Sequence, residues 1–379
     1  MPDDFQLLIK PVSADCNQAC RYCFYRRAGA LYADRPVRRM SHHTLEMLVR
    51  RYLKLGMAQS VFSWQGGEPT LAGLDFYRAA VQLMQLHGRG GQSVSNALQT
   101  NGLLLDDDWC RFLRQYRFLV GLSLDGPAEI HDKYRLRGDH QGTHAEALRA
   151  LKRLQEHEVP FNVLAVVTSA SASQAKRVYN WLREQGVTHM QFIPCIEAEA
   201  DGQPSPFSVS SEAFGEFLCE LFDAWLPDAR NGVSERLFDS LVQRELTGRS
   251  GMCILDGACG GYLVVEHNGD AYPCDFFVED AWRLGNIEKT PLETLMQRGR
   301  MRQFRALRGL PETCESCRWK ELCRGGCLKD RSRYGGRFDR PTTLCLAYER
   351  FFEHAMASIR SLAREIRDNP SRRPPQEAS

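Results

Sequence analysis

"DCNQACRYCFY", residues 15–25, places Cys16, Cys20 and Cys23 within eight positions, and the next cysteine is Cys110. A structural zinc site closes with four ligands. Three thiols on one short stretch, with no fourth nearby, point to a metal site that keeps one position open for chemistry. A cuboidal iron–sulfur cluster has four irons, each usually held by a cysteine thiolate. Three protein thiolates would leave one iron open, and Phe24 and Tyr25 would shield the cluster from bulk water. A zinc site completed by a distant residue is the competing reading of these three residues by themselves.

Outward from this stretch, apolar runs alternate with helical patterns. "LLIKPV" (7–12), "SVFSWQ" (60–65), "SNALQT" (95–100), "FLVGLSL" (118–124), "FNVLAVV" (161–167) and "HMQFIPC" (189–195) read as buried strands. Amphipathic segments at 41–55, 75–87, 107–116, 143–157 and 172–185 separate them; in 143–157, Ala147, Leu148, Leu151 and Leu154 build one apolar face. Six strands with intervening helices predict a parallel sheet. The expected fold class is α/β: a partial (β/α)6 TIM-like barrel followed by a cysteine-rich, iron–sulfur-stabilised C-terminal domain. Such folds place function at the C-terminal ends of the strands. The cysteine stretch follows strand one, "GGEPT" strand two, "TNG" strand three and "SLDGP" strand four.

The chain has 379 residues, 43% of them hydrophobic, which suits two domains. Its 49 Lys and Arg against 47 Asp and Glu leave a net charge of +2, so neither a nucleic acid nor a membrane is expected as a partner. No apolar run is long enough to span a bilayer, and the N-terminus lacks a secretory pattern; a cytoplasmic location is expected. In that compartment, clustered cysteines signal metal or catalysis rather than disulfides. Of 14 cysteines, Cys110, Cys195 and Cys219 stand alone and read as small buried hydrophobes. Cys253, Cys259, Cys274, Cys314, Cys317, Cys323, Cys327 and Cys345 form a second group, enough thiolates to fill two four-iron clusters with no open corner. Two four-cysteine zinc sites need the same number of ligands.

The expected organisation is a barrel over 1–197, a linker and helical connection over 198–252, an auxiliary cluster domain over 253–346, and a last helix with a disordered tail over 347–379. Within the connection, 198–210 reads as a polar linker and 211–247 as helical. The cysteine-rich region has few long apolar runs, so metal is expected to supply part of its folding energy.

The triad spacing resembles the hallmark of the radical S-adenosylmethionine superfamily. The resemblance implies that the open iron chelates the methionine moiety and that a 5′-deoxyadenosyl radical is released. Gly66, Gly67 and Glu68 of "GGEP" fall where the superfamily binds the methionine amino group. The second cysteine group resembles the SPASM extension of radical enzymes that modify peptides. That likeness assigns Cys253, Cys259, Cys274 and Cys327 to one auxiliary cluster and Cys314, Cys317, Cys323 and Cys345 to the other. Three [4Fe-4S] clusters and S-adenosyl-L-methionine are thus the expected cofactors.

Longer stretches narrow the family. "CNQACRYCFY", "QGGEPTLAGLDFY", "LQTNG", "FLVGLSLDGP", "VVTS", "YPCDFF" and "WRLGNI" together resemble the anaerobic sulfatase-maturating enzymes, over nearly the whole chain from Leu7 to about Phe352. The resemblance implies oxidation of a Cys or Ser in a Cys/Ser-x-Pro-x-Arg motif to Cα-formylglycine. It makes Asp275 the base, with Tyr25 and Gln65 orienting it. It carries Tyr22, Gly67, Ser123, Arg135 and Ile196 onto contacts with adenosylmethionine. The implied partners are a sulfatase polypeptide and an electron donor such as flavodoxin or ferredoxin. A SPASM maturase of another ribosomal peptide is the nearest competing enzyme; fifteen residues ahead of Cys16 give no room for the leader-binding domain many of those carry. A cluster- or zinc-stabilised binding protein without turnover is the alternative from another class.

Overall fold

The computed structural model describes residues 5–25, 29–32, 38–257, 259–332 and 337–369. Strands and helices alternate: β1 (Gln6–Lys10), α1 (His42–Lys54), β2 (Gln59–Trp64), α2 (Leu74–His87), β3 (Ser93–Thr100), α3 (Asp107–Gln115), β4 (Leu119–Ser123), α4 (His144–Glu156), β5 (Phe161–Val167), α5 (Ala175–Glu184) and β6 (His189–Pro194). Then come α6 (Ser211–Trp225), β7 (Ser234–Glu235), α7 (Arg236–Thr247), β8 (Tyr262–Glu266), β9 (Asp270–Tyr272), β10 (Gly285–Asn286) and α8 (Cys345–Asp368). The expected βα series is present, with element ends shifted by a few residues. The chain divides into two compact units, each assembled from separated segments.

The first unit comprises Met1–Ser123, Arg135–Phe161 and Cys259–Ala306. Its strands lie in the order β10-β9-β8-β1-β2-β3-β4. From β8 to β4 all pairings are parallel, with Leu7 opposite both Phe62 and Leu263. Strands covered on both faces need apolar side chains throughout, and Leu7, Ile9, Phe62, Trp64, Leu98 and Leu122 are accordingly buried. The helices start where local chemistry tells them to: the Ser41 hydroxyl accepts from the Thr44 N–H at 3.0 Å, and the Asp106 carboxylate from the Trp109 N–H at 2.9 Å.

One part of this sheet departs from expectation. The run "YLVVEHNGDAY" forms an antiparallel hairpin, β8–β9, inside the cysteine-rich region. Its turn uses Gly269 at φ 81°, a conformation glycine adopts without strain. β8 is buried along Leu263–Glu266 and pairs with β1. This part of the region therefore buries apolar side chains against β1, beside the part of its folding energy that metal is expected to supply.

The second unit comprises Leu124–Tyr134, Asn162–Ala258 and Leu307–Ser379. Here β5, β6 and β7 pair in parallel. The stretch 211–247 is two helices, not one, because Pro227 and Gly232, at φ 79°, interrupt it. α6, α7 and α8 share an aromatic core of Phe222, Trp225, Phe238 and Phe351. Gly215 lets α8 approach closely, since a Cβ there would stand 3.0 Å from the Ala347 Cα. The stretch 198–210 is folded rather than loose: Ala198 bridges Pro204, and Ser205 and Val209 are buried. The expected disordered tail falls, over 370–379, outside the described residues.

Candidate active site

All the groups described next, up to the auxiliary cysteines, belong to the first unit unless stated. The triad loop leaves the C-terminal end of β1 and is tied down from several sides. The Ala19 N–H donates to the Leu136 carbonyl at 2.7 Å, and Gln18 Nε2 to Thr143 Oγ1 at 2.7 Å. Asn101, from the loop after β3, donates through Nδ2 to Asn17 Oδ1 at 2.7 Å. Cys16, Cys20 and Cys23 stand outside any disulfide. Cys16 keeps an open face yet lies among dense protein, and that desolvation pushes its thiol up to about 12; the Gln18 N–H, 3.3 Å from Sγ, opposes the rise, while the charges of Glu68, Cys20 and Cys23 add to it. A thiol of this kind does not ionise unaided near neutrality, so a bound metal has to displace its proton.

"GGEP" packs directly on this loop. A Cβ on Gly67 would fall 2.1 Å from the Asp15 carbonyl oxygen, and one on Gly66, at φ 124°, 2.6 Å from that of Ser13. Backbone N–H groups of Gly67 and Glu68 donate to the Ser13 and Asp15 carbonyls at 2.8 and 2.7 Å. The glycines thus serve the cysteine loop itself as well as any ligand beside it. The Glu68 carboxylate is 1% exposed. Its Oε1 accepts from Thr70 N, Thr70 Oγ1 and Thr100 Oγ1, and its Oε2 from Asn101 N at 2.7 Å. Burial raises its proton affinity and these donors oppose the rise. Glu68 therefore splices the loops after β2 and β3; its Oε2 retains a lone pair for one further donor such as an ammonium.

Arg135, expected from the resemblance to contact adenosylmethionine, is 7% exposed, with its guanidinium 5.5 Å from the centre of the Tyr22 ring. Ser123 ends β4, and its hydroxyl accepts from Gln99 Nε2 at 3.0 Å. Ile196, in the second unit, follows β6 and is 1% exposed.

Asp275 lies in a short turn after β9. Its Oδ2 accepts from the Tyr25 hydroxyl at 2.5 Å, and its Oδ1 stands 2.6 Å from Lys10 Nζ. Burial and the Asp275 charge hold the Tyr25 phenol well above its usual range, while a hydrogen bond with Gln65 opposes them. Asp275, Tyr25 and Gln65 are thus brought together. Lys10 and Glu266 join them unforeseen: the Lys10 side chain is fully buried, with Nζ 3.7 Å from Glu266 Oε1 and 4.6 Å from the Tyr25 ring centre. One ammonium between two carboxylates offsets the cost of burying them. A signal was present in "QLLIK": a lysine closing an apolar strand covered on both faces is rarely buried without a partner. Phe276 packs at a tilt against Phe24, ring centres 4.8 Å apart, and is 40% exposed.

The eight cysteines of the second group likewise stand outside any disulfide. Cys259 and Cys274 belong to the first unit. Cys253, Cys314, Cys317, Cys323, Cys327 and Cys345 belong to the second. Within the second unit, burial raises the Cys327 thiol and the charges of Asp330 and Cys253 add to that; burial raises Cys323 to about 11, with contributions from Cys345 and Cys314. Among the described residues no three metal-ligating side chains are drawn together as a closed site; soft thiols are the donor type that iron–sulfur ligation uses. No described helix is long and apolar enough to cross a membrane.

Residues 11–182 match the radical SAM superfamily, and residues 253–318 match the SPASM iron–sulfur cluster-binding domain. With the open triad on the C-terminal rim of a parallel sheet, this defines a radical SAM enzyme that carries iron–sulfur clusters and uses S-adenosylmethionine. A cysteine-type anaerobic sulfatase-maturating enzyme of Clostridium perfringens is 38% identical over 95% of this chain and 99% of its own. A serine-type enzyme of Bacteroides thetaiotaomicron is 34% identical over 95% of this chain and 91% of its own. The structure of native anSMEcpe with bound AdoMet and Cp18Cys peptide superposes with a TM-score of 0.88 at 37% identity, covering 95% and 99% of the two chains. The chain belongs to the anaerobic sulfatase-maturating enzymes.

Proposed function

We propose that this enzyme oxidises one Cys or Ser, within a Cys/Ser-x-Pro-x-Arg motif of a sulfatase, to Cα-formylglycine. The observation that carries the reading is Asp275, next to Cys274, held between Lys10 and Tyr25. Conversion of the substrate side chain to an aldehyde, from Ser, or a thioaldehyde, from Cys, removes one hydrogen atom, one proton and one electron; water then replaces the thioaldehyde sulfur, which leaves as hydrogen sulfide. When bound, adenosylmethionine and the clusters supply a 5′-deoxyadenosyl radical that takes the hydrogen from Cβ, and an acceptor for the electron.

The chain's own residues do the rest. Cys16, Cys20 and Cys23 hold one [4Fe-4S] cluster. Cys253, Cys259, Cys274 and Cys327 hold a second, and Cys314, Cys317, Cys323 and Cys345 a third. Gly66, Gly67 and Glu68 receive the methionine amino group. Tyr22, Ser123, Arg135 and Ile196 line the cofactor. Asp275 accepts the proton at a carboxylate oxygen, with Tyr25 and Gln65 fixing its orientation. Phe24 and Phe276 keep water from the turn, which protects a radical from quenching. A sulfatase polypeptide is the substrate, and flavodoxin or ferredoxin the reductant.

The test is anaerobic incubation with adenosylmethionine, a reductant and two peptides, Cys-x-Pro-x-Arg and Ser-x-Pro-x-Arg, read by mass spectrometry. Formylglycine in either peptide is expected. Production of 5′-deoxyadenosine with both peptides unchanged would overturn the reading.

A further inference from the structure

In the second unit, two arginines join the turn that carries Cys253 to the turn that carries Cys323. Arg308 is 8% exposed. Its Nη2 donates to the Ile254 carbonyl at 3.1 Å, one residue after Cys253. Its Nη1 donates to the Arg324 carbonyl at 2.5 Å, one residue after Cys323. Arg244 spans the same two turns, from the Leu255 carbonyl at 2.7 Å to that of Glu321 at 2.5 Å. Arg324 sits at φ 47°, and its carbonyl also accepts from Arg331 Nη2 at 2.6 Å. A planar fork with fixed donors suits such bridging; a lysine ammonium is a compact point charge without that preset spacing of donors.

The position is unusual for its chemistry. Cys253 and Cys323 belong to different ligand sets in the reading proposed above. The buried Arg308 guanidinium is anchored one residue beyond a cysteine of each set. Its third donor, Nε, is buried without a hydrogen-bond partner among the described residues. A cationic N–H near thiolate sulfur stabilises the more negative state of a cluster, and hydrogen bonds to the sulfurs and local charge set cluster potentials.

We propose that Arg308 is a positioning residue for the two auxiliary clusters: it fixes the turn of Cys253 against the turn of Cys323 and places one buried positive charge beside both ligand sets. This rests on the proposed assignment of the eight cysteines. Removing the charge makes addition of an electron less favourable, so both potentials fall.

The test uses the full chain carrying Cys16→Ala, Cys20→Ala and Cys23→Ala, reconstituted with iron and sulfide, so that only the auxiliary clusters contribute. Potentials are read by EPR-monitored redox titration and retention by release of iron to a chelator. Arg308→Gln is expected to lower the midpoint potentials of both clusters. Arg308→Lys keeps the charge but loses the fork. It is expected to hold potentials near those of the parent while releasing iron about tenfold faster, the equivalent of ~1.4 kcal/mol. Unchanged potentials in an iron-replete Arg308→Gln protein overturn the proposal. If that variant loads no iron, Arg308→Lys decides, and release at the parent rate overturns it. A parent chain that itself holds no iron would refute the ligand assignment instead.

Discussion

Lys10 Nζ lies 2.6 Å from Asp275 Oδ1, so the first strand of the chain supplies the counter-charge of a carboxylate in the cysteine-rich region. The pair is part of a buried group with Glu266 and Tyr25. Removing one partner of a buried pair typically costs about 3–5 kcal/mol, because the other charge is left uncompensated.

Lys10→Met is therefore expected to destabilise the first unit and to misplace Asp275. Formylglycine should fall by at least roughly a hundredfold, and Lys10→Arg should recover part of it. Asp275→Asn should cause a similar fall while 5′-deoxyadenosine continues to form, since the proposed function places radical generation at Cys16, Cys20 and Cys23. The ratio of 5′-deoxyadenosine to formylglycine, measured under anaerobic turnover, should rise in both variants. Normal ratios at normal rates would remove the pair from the mechanism.

Division of labour between the cysteine groups gives a second expectation. Replacing Cys16, Cys20 and Cys23 by alanine should abolish cleavage of adenosylmethionine but leave about eight irons bound. Iron analysis and detection of 5′-deoxyadenosine check it, and persistence of the nucleoside would show that the triad is not the reactive site.

Loss of metal should loosen the chain unevenly. β8 pairs with β1 and its residues from Leu263 are buried, so 262–266 should stay protected in iron-free protein. Residues 307–332, which contain only short helical turns among the cysteines, should exchange quickly. Hydrogen exchange on the apo chain reads this directly; equal protection of the two stretches would count against it.

Glu235 gives a pH dependence. It is buried, caps α7 by accepting from the Phe238 N–H at 3.0 Å, and burial pushes its carboxyl up to about 8. Between the usual carboxylate range and that value, the folded chain keeps a proton that the unfolded chain releases. This contribution is fully present below about pH 4.5 and is lost as pH rises through about 8. The Tm should fall over this range, and the slope should flatten in Glu235→Gln. An unchanged slope would mean that Glu235 does not hold the proton.

Much of the molecule was legible because its signals are local. Period-two and helical patterns located β1 to β6 and the helices between them, and the triad spacing pointed to the radical SAM superfamily whose model the chain matches. Asn268-Gly269 between apolar runs is a hairpin signal for β8–β9, but these runs are short and lie among cysteines, so the local pattern of that region is dominated by its thiols. Glu68 was read as facing a ligand; that Thr70, Thr100 and Asn101 claim most of its lone pairs follows only from the packing of three loops.

By itself, the sequence determined the βα alternation, the two groups of thiols and the family, since each depends on residue type and short spacing. Tertiary structure alone decided the company of Asp275. Lys10 and Glu266 are direct partners in the parallel register of β1 and β8. A slip of one residue would send Lys10 to the opposite face and leave both carboxylates uncompensated. That register is set by burial of Leu7, Ile9, Leu263 and Val265 across two distant segments, a constraint that no local window of the chain contains.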